Sequence, residues 1–204
     1  MLFFFLRCID LCLRCDRVAA YAHGALQALF QRCGLQALSY MLICSSVLSP
    51  SGYLPGRSGH YETSNSPDCC VDDKQYLQFL CTPPVSSATW AVLTVNGFGK
   101  GKDGGLPSEC DGAYHDDSEM AVALFTGWFS GMSRCGRSIK ITAKGGSSMH
   151  AKVVDECDSV HGCDAEHNYE EPCAYNVVDA SPVVWDALGL DQSIGLQDVT
   201  WSDE

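Results

Sequence analysis

The sequence predicts a mainly β domain, a small disulfide-stabilised barrel with one or two short helices, and three observations carry that prediction. Short apolar stretches separated by Gly- and Ser-rich turns recur from Trp90 onward, the pattern of many short strands rather than of helices. Eight cysteines (Cys69, Cys70, Cys81, Cys110, Cys135, Cys157, Cys163 and Cys173) lie in acidic, Gly-rich sequence after residue 50, an even set that reads as a disulfide framework formed in an oxidising compartment. Only one segment carries a convincing helix signature.

Residues 1–48 differ from the rest. They are apolar, hold four arginines and only Asp10 and Asp16 as acids, and contain the run "LQALSYMLICSSVLS", whose length suits a signal-peptide core better than a membrane span. They are read as a leader or targeting segment, or as a wrongly assigned start. Residues 49–89, rich in Ser, Pro and Gly, are expected to form a small loop-rich, Cys-containing N-terminal module with a short hairpin around "KQYLQFLC".

Residues 90–204 supply the barrel. "TWAVLTVNGF" alternates and is β-branched. "MAVALFTGWF" is apolar almost throughout and suits a strand buried on both faces. "SIKITAK" and "MHAKVVD" flank Gly145-Gly146 as a hairpin, and "DVTW" makes a last strand. "SPVVWDALG" is the helix: Ser181 is placed as N-cap, Pro182 at the first helical position and Gly189 just past the end. Val184, Trp185 and Leu188 form its buried face.

The formal charge of −12 disfavours a phosphate backbone or an anionic membrane as a partner, and a basic or neutral partner is easier to accommodate. Acids in suggestive places are Asp116 and Asp117, which follow Tyr114 and His115, together with Asp155 at a strand end and Asp179 before the helix. Two of them facing each other could serve as general acid and base in glycan cleavage. The structural alternative has Asp179 and Ser181 organise the helix start and Asp155 bind backbone N–H groups. Cys157, Cys163 and His167, with Asp158 and Asp164 between them, lack zinc-site spacing, and Asp158–Glu171 lacks the EF-hand pattern, so no metal or cofactor is expected. "NGFGKGKDGG" lacks a phosphate-loop ending and reads as a surface loop.

The motifs "SGYLPGRSG", "PDCC", "CTPPV", "GKDGGLPSECDGAYH", "RCGRSIKITAKG", "AKVVDECDSVHGCDAEHNYEEPC" and "NVVDASPVVWDALGLDQSIG" closely resemble those of the kiwellins, which include the plant ripening-related proteins. The resemblance runs from Ser51 to Glu204 and covers none of residues 1–48. It implies a secreted, apoplastic plant defence protein built on a six-stranded double-psi β-barrel. It also implies a monomer that acts by binding a pathogen-secreted protein such as a chorismate mutase, and not as an enzyme. Its alternative is a groove for cell-wall glycan, which Tyr114, His115, Asp116, Asp117, Asp155 and Asp179 would line, with Asp117 and Asp179 as base and acid in a catalytic version. Where such kiwellins carry a cysteine, this chain has His60 and Tyr61. Candidate contact loops are Gly97–Gly105 and Ser159–Tyr169. Cys157 is placed in a disulfide with Cys135 as its expected partner, and Asp155 as a structural carboxylate bonded to backbone.

Overall fold

Alternation along Thr89–Val95 sets the first barrel strand: Ala91 and Leu93 are fully buried while Trp90 faces solvent. In the computed structural model, which describes residues 50–59 and 69–204, eight strands follow in order. They are β1 (Gly52–Pro55), β2 (Gln75–Gln78), β3 (Thr89–Val95), β4 (Ala121–Phe125), β5 (Ser138–Ala143), β6 (Ser148–Cys157), β7 (Val177–Ala180) and β8 (Leu196–Asp203). Two short helices, α1 (Thr126–Phe129) and α2 (Pro182–Leu188), and a 3-10 turn at Gln192–Ile194 complete the set. The leader expected over residues 1–48 and the His60–Tyr61 departure lie outside the described residues.

Six strands close into a barrel in the order β3-β7-β4-β6-β5-β8. The pairs β3–β7 and β4–β6 are parallel and the other four antiparallel, so the chain is a six-stranded double-psi β-barrel. Its interior is filled by Leu93, Val122, Leu124, Ile139, Ile141, Val153, Val178 and Val199, with Trp128, Trp185 and Trp201 closing it. The strand β4 is buried on both faces, as its unbroken apolar run requires. Val122 and Leu124 point to the barrel core, and Ala121 and Ala123 pack with Phe98 and Val154 in a second cluster.

The run "MAVALFTGWF" nevertheless ends its strand at Phe125. Thr126–Phe129 turns helical and buries Trp128 and Phe129. Gly127 makes this possible, since a Cβ there would lie 2.7 Å from the Thr82 side chain and 3.0 Å from its backbone N. The helix α2 has its expected face, with Val184, Trp185 and Leu188 buried, and Gly189 ends it in the left-handed conformation. Ser181 holds the N-cap position but its hydroxyl does not cap. Its Oγ donates to Glu119 O (2.6 Å) and accepts from Ala121 N (3.3 Å), tying the helix start to β4 instead. The strand β7, short and read in sequence only as a lead-in to the helix, sits centrally between β3 and β4.

The N-terminal strands β1 and β2 form a separate antiparallel pair, with Tyr76 packed against the Cys70–Cys163 disulfide. They are fastened to the loop after β6. Phe79 N donates to Ser159 O (2.9 Å), Cys70 N donates to Tyr169 O (2.9 Å), and Cys69 joins Glu170 in an isolated β-bridge. Two further disulfides join Cys110 to Cys135 and Cys157 to Cys173, and Cys81 is disulfide-bonded as well. The expected Cys135–Cys157 link is therefore incorrect, for a geometric reason. Gly136 N and Cys110 N bond Val153 O and Val154 O, so Cys135 lies beside the middle of β6. Cys157, three residues further along, is about 10 Å away at strand rise, too far for a bridge. Among the described residues no helix is long and apolar enough to cross a membrane.

Candidate functional site

The C-terminal ends of β3 and β6, the outer face of β7 and two loops enclose a cleft of about 530 Å³. From β7, Val178 and Ala180 point into the barrel, which leaves Asp179 on the outer side beside Thr94 of β3 and Ala123 of β4. The Thr94 hydroxyl donates to the Asp179 carboxylate, and Trp185 Nε1 donates to Thr94 O (2.8 Å), so helix α2 braces the same strand. Asp179 is partly exposed at the cleft yet closely surrounded. Burial pushes its carboxyl up to about 7, the Thr94 bond opposes that rise, and the negative charges of Asp103 and Asp155 add to it.

Strand β6 delivers Asp155 and Glu156 to the same wall. Asp155 Oδ1 accepts from Glu109 N and Glu156 N, both at 2.8 Å, and burial raises its carboxyl against those bonds. Burial also raises Glu156, which accepts from the Thr126 hydroxyl at 2.6 Å. The next acid is different. Burial disfavours the charge on Asp158, but the His167 imidazole beside it, together with bonds from the N–H groups of His161 and Val160 and from the His161 ring, outweighs it, and the carboxyl stays well below the usual range. His167 is the counterpart. Asp158 and Asp164 raise it to about 9 against burial, with Nδ1 bonded to Asp164 at 2.7 Å and Nε2 3.6 Å from Asp158, an ion pair rather than a hydrogen bond. The His161 and His167 rings stack 6.1 Å apart.

Asn96, Asp103, Gly104, Leu106, Pro107 and Glu109 complete the lining. The candidate contact loops Gly97–Gly105 and Ser159–Tyr169 thus both contribute to one cleft. Ten carboxylates line it, without a lysine or arginine. Among the described residues, no three His, Cys, Asp or Glu side chains converge to hold a metal ion.

Of the candidate groove residues, the cleft brings together Asp155 and Asp179. The "YHDD" group lies elsewhere. Tyr114 is exposed, and His115 is buried between Asp111 (3.3 Å) and Glu119 (3.1 Å). Asp116 accepts from Ser118 N (2.9 Å) and Ser118 Oγ (2.6 Å), and Asp117 pairs with Lys102 at 3.1 Å. With His115 N bonded to Phe98 O (3.0 Å), this group tethers the glycine loop from behind. The pairing of Asp117 with Asp179 across one groove does not occur within the cleft lining.

Asn96, Glu109, Glu156, Asp158, Glu170 and Glu171 also line the cleft and lie outside both the candidate groove and the candidate contact loops. A signal was present, since the chain has no lysine or arginine after Lys152, while 13 of its 25 acids lie there.

Fold and site together define a disulfide-held double-psi barrel that presents a rigid acidic cleft. A family model described as Kiwellin-1 matches residues 18–204, and the chain belongs to the kiwellin family. The match reaches back beyond Ser51, where the motif resemblance begins. Ripening-related protein 3 of Oryza sativa subsp. japonica is 50% identical over 165 residues, covering 79% of this chain and 78% of that protein. Kiwellin of Actinidia chinensis var. chinensis is 57% identical over 129 residues, covering 63% and 61%. A longer rice ripening-related relative, 56% identical over 170 residues, is spanned for 55% of its own length. Among solved structures, an expansin from Clavibacter michiganensis aligns at TM-score 0.41 with 24% identity, over 57% of this chain and 50% of that one.

Proposed function

We propose that this protein is a secreted plant defence and ripening-related protein that works by binding another protein, a pathogen-secreted enzyme, with a chorismate mutase as the first candidate to test. The observation that carries the reading is the stapled cleft. Cys70–Cys163 and Cys157–Cys173 fix the loop that forms one wall, so a partner would meet a preformed surface and little ordering entropy would be lost on association. Membership of a family of kiwellins and ripening-related proteins supports the same reading. The test is capture of fungal secreted proteins on the folded, oxidised chain, followed by titration calorimetry and inhibition assays with any enzyme retained. A saturable complex that lowers the partner's activity is expected. No inhibition by a chain with native disulfides would overturn the inhibitor reading.

A second reading, a groove for cell-wall glycan, has one observation in its favour: Asp179 holds its proton to about pH 7 at an open cleft, as a general acid would. The ion pair that occupies Asp117 weighs against the catalytic version. Release of reducing sugar from wall glycans, abolished in Asp179→Asn, would support this reading, and its absence at every pH from 4 to 8 would exclude hydrolysis.

A further inference from the structure

We propose that the cleft is the seat of an extended basic peptide segment, whose lysine or arginine side chains lie along its acidic walls while the Asn96 amide takes a hydrogen bond at its floor. The inference rests on the protein-binding reading and names the chemistry of the partner.

Four observations carry it. The lining has ten carboxylates and no lysine or arginine, and its two histidines are already engaged by Asp158 and Asp164. Asn96 is only 8% exposed and lines the cleft, yet its side-chain amide makes no hydrogen bond among the described residues. Its backbone N–H is bonded to Ala180 O at 2.9 Å, and Gly104 packs so close that a Cβ there would sit 3.2 Å from Nδ2. The amide is thus held in place with its bonding capacity unspent, and because its polar atoms are not among those sealed from solvent, it is open to a ligand group in the cleft. Third, the carboxylates do not converge on a point, so a metal ion is the wrong shape for them, whereas spaced cationic side chains fit. Fourth, Leu106, Pro107 and Ala123 add apolar surface between the acids, which suits the aliphatic stems of lysine and arginine.

The experiment is fluorescence anisotropy at pH 7.5 with the full oxidised chain and a labelled nine-residue peptide alternating arginine and glycine. A glutamate-for-arginine peptide and spermine serve as comparisons. Expected are saturable binding of the arginine peptide, no binding of the glutamate peptide, and at least a tenfold loss of affinity between 50 and 300 mM NaCl. Glu109→Gln and Glu166→Gln should each weaken binding several-fold, Asn96→Ala about fivefold or more, and the exposed Asp198→Asn, on the outer face of β8, not at all. Near-UV circular dichroism and thiol titration establish that each variant is folded and oxidised. Equal losses in Asp198→Asn and Glu109→Gln would show diffuse charge attraction and overturn the assignment, as would an unchanged affinity in Asn96→Ala. Spermine that binds more tightly than the peptide would replace the peptide with a small polyamine. Peptide binding without any captured enzyme would refute the inhibitor reading alone. Capture of an enzyme that the arginine peptide does not displace would refute this inference alone.

Discussion

Asp179 shows how one carboxyl couples the cleft to stability. Its ordinary value is near 3.8, and in the fold it titrates at about 7. Below about pH 4 it is protonated whether the chain is folded or not, and it contributes no pH dependence. Between about 4 and 7 the folded chain keeps a proton that the unfolded chain has released, so stability falls as pH rises through that window. Above 7 the folded state carries the full cost of a hemmed-in charge. Asp179→Asn, which retains an acceptor for the Thr94 hydroxyl, should therefore raise Tm at pH 8 by roughly 3–6 °C and leave it nearly unchanged at pH 3.5, measured by calorimetry. Ser181→Ala tests a second residue. Its hydroxyl bonds Glu119 O and Ala121 N rather than capping helix α2, so the loss should be about 1–2 kcal/mol. The accompanying change in hydrogen exchange should appear at the start of β4 rather than in the first turn of the helix. Single residues of this kind were the least legible in the sequence. "VVDASP" marks Asp179 and Ser181 as polar neighbours of a helix start, but the parallel partner that gives Thr94 to Asp179 lies 85 residues away. The cleft acids carried a compositional signal, and what was missing was the fold that gathers Asp103 with Asp164.

The loop between β6 and β7 is the element on which the cleft depends. The Cys157–Cys173 disulfide closes a separation of 16 residues, and its removal in the double variant Cys157→Ser, Cys173→Ser should cost about 3 kcal/mol in the chain-entropy account, read from denaturant unfolding. The ion network inside the loop has its own pH window. His167 is raised, so its contribution is complete below about 6.5 and is lost as pH climbs through 9. Asp158 is depressed, so its contribution is present above 3.8 and is lost on acidification. Amide exchange in Ser159–Tyr169 should accordingly be slowest between about pH 4 and 6.5, after correction for intrinsic rates, and should speed up progressively from 6.5 to about 9. Elements with a strong local pattern were readable in advance: β3, β5, β6 and α2 follow from alternation, the Gly145-Gly146 turn and the Pro182–Gly189 bracket. The helical turn α1 was not, because "TGWF" is apolar in either conformation and the choice is made by Thr82 pressing against Gly127. Disulfide partners were equally hidden, since they depend on which point of β6 each cysteine reaches.

At the scale of the whole molecule, the barrel interleaves early and late sequence. Strand β3 is bonded to β7 on one side and β8 on the other, so it has no neighbour until the last quarter of the chain is present. A chain ending at residue 174 lacks both partners and should show no near-UV circular dichroism signal from its tryptophans, even though it keeps every cysteine of the three assigned bridges. Such long-range pairing also predicts slow folding, on a time scale of milliseconds to seconds or longer. A β class with short helices followed from composition and spacing, and the kiwellin motifs supplied the particular closure, which no local pattern of residues specifies.

That interleaving bears on biosynthesis. Because β8 closes the ring between β3 and β5, no closed barrel can form until Leu196–Asp203 has been made. Until then the nascent chain offers bare strands and reduced thiols to its surroundings. Cys110 and Cys135, only 25 residues apart, can meet during translation, whereas Cys70 must wait for Cys163. The order in which oxidase and chaperone reach the chain is thereby written into its topology.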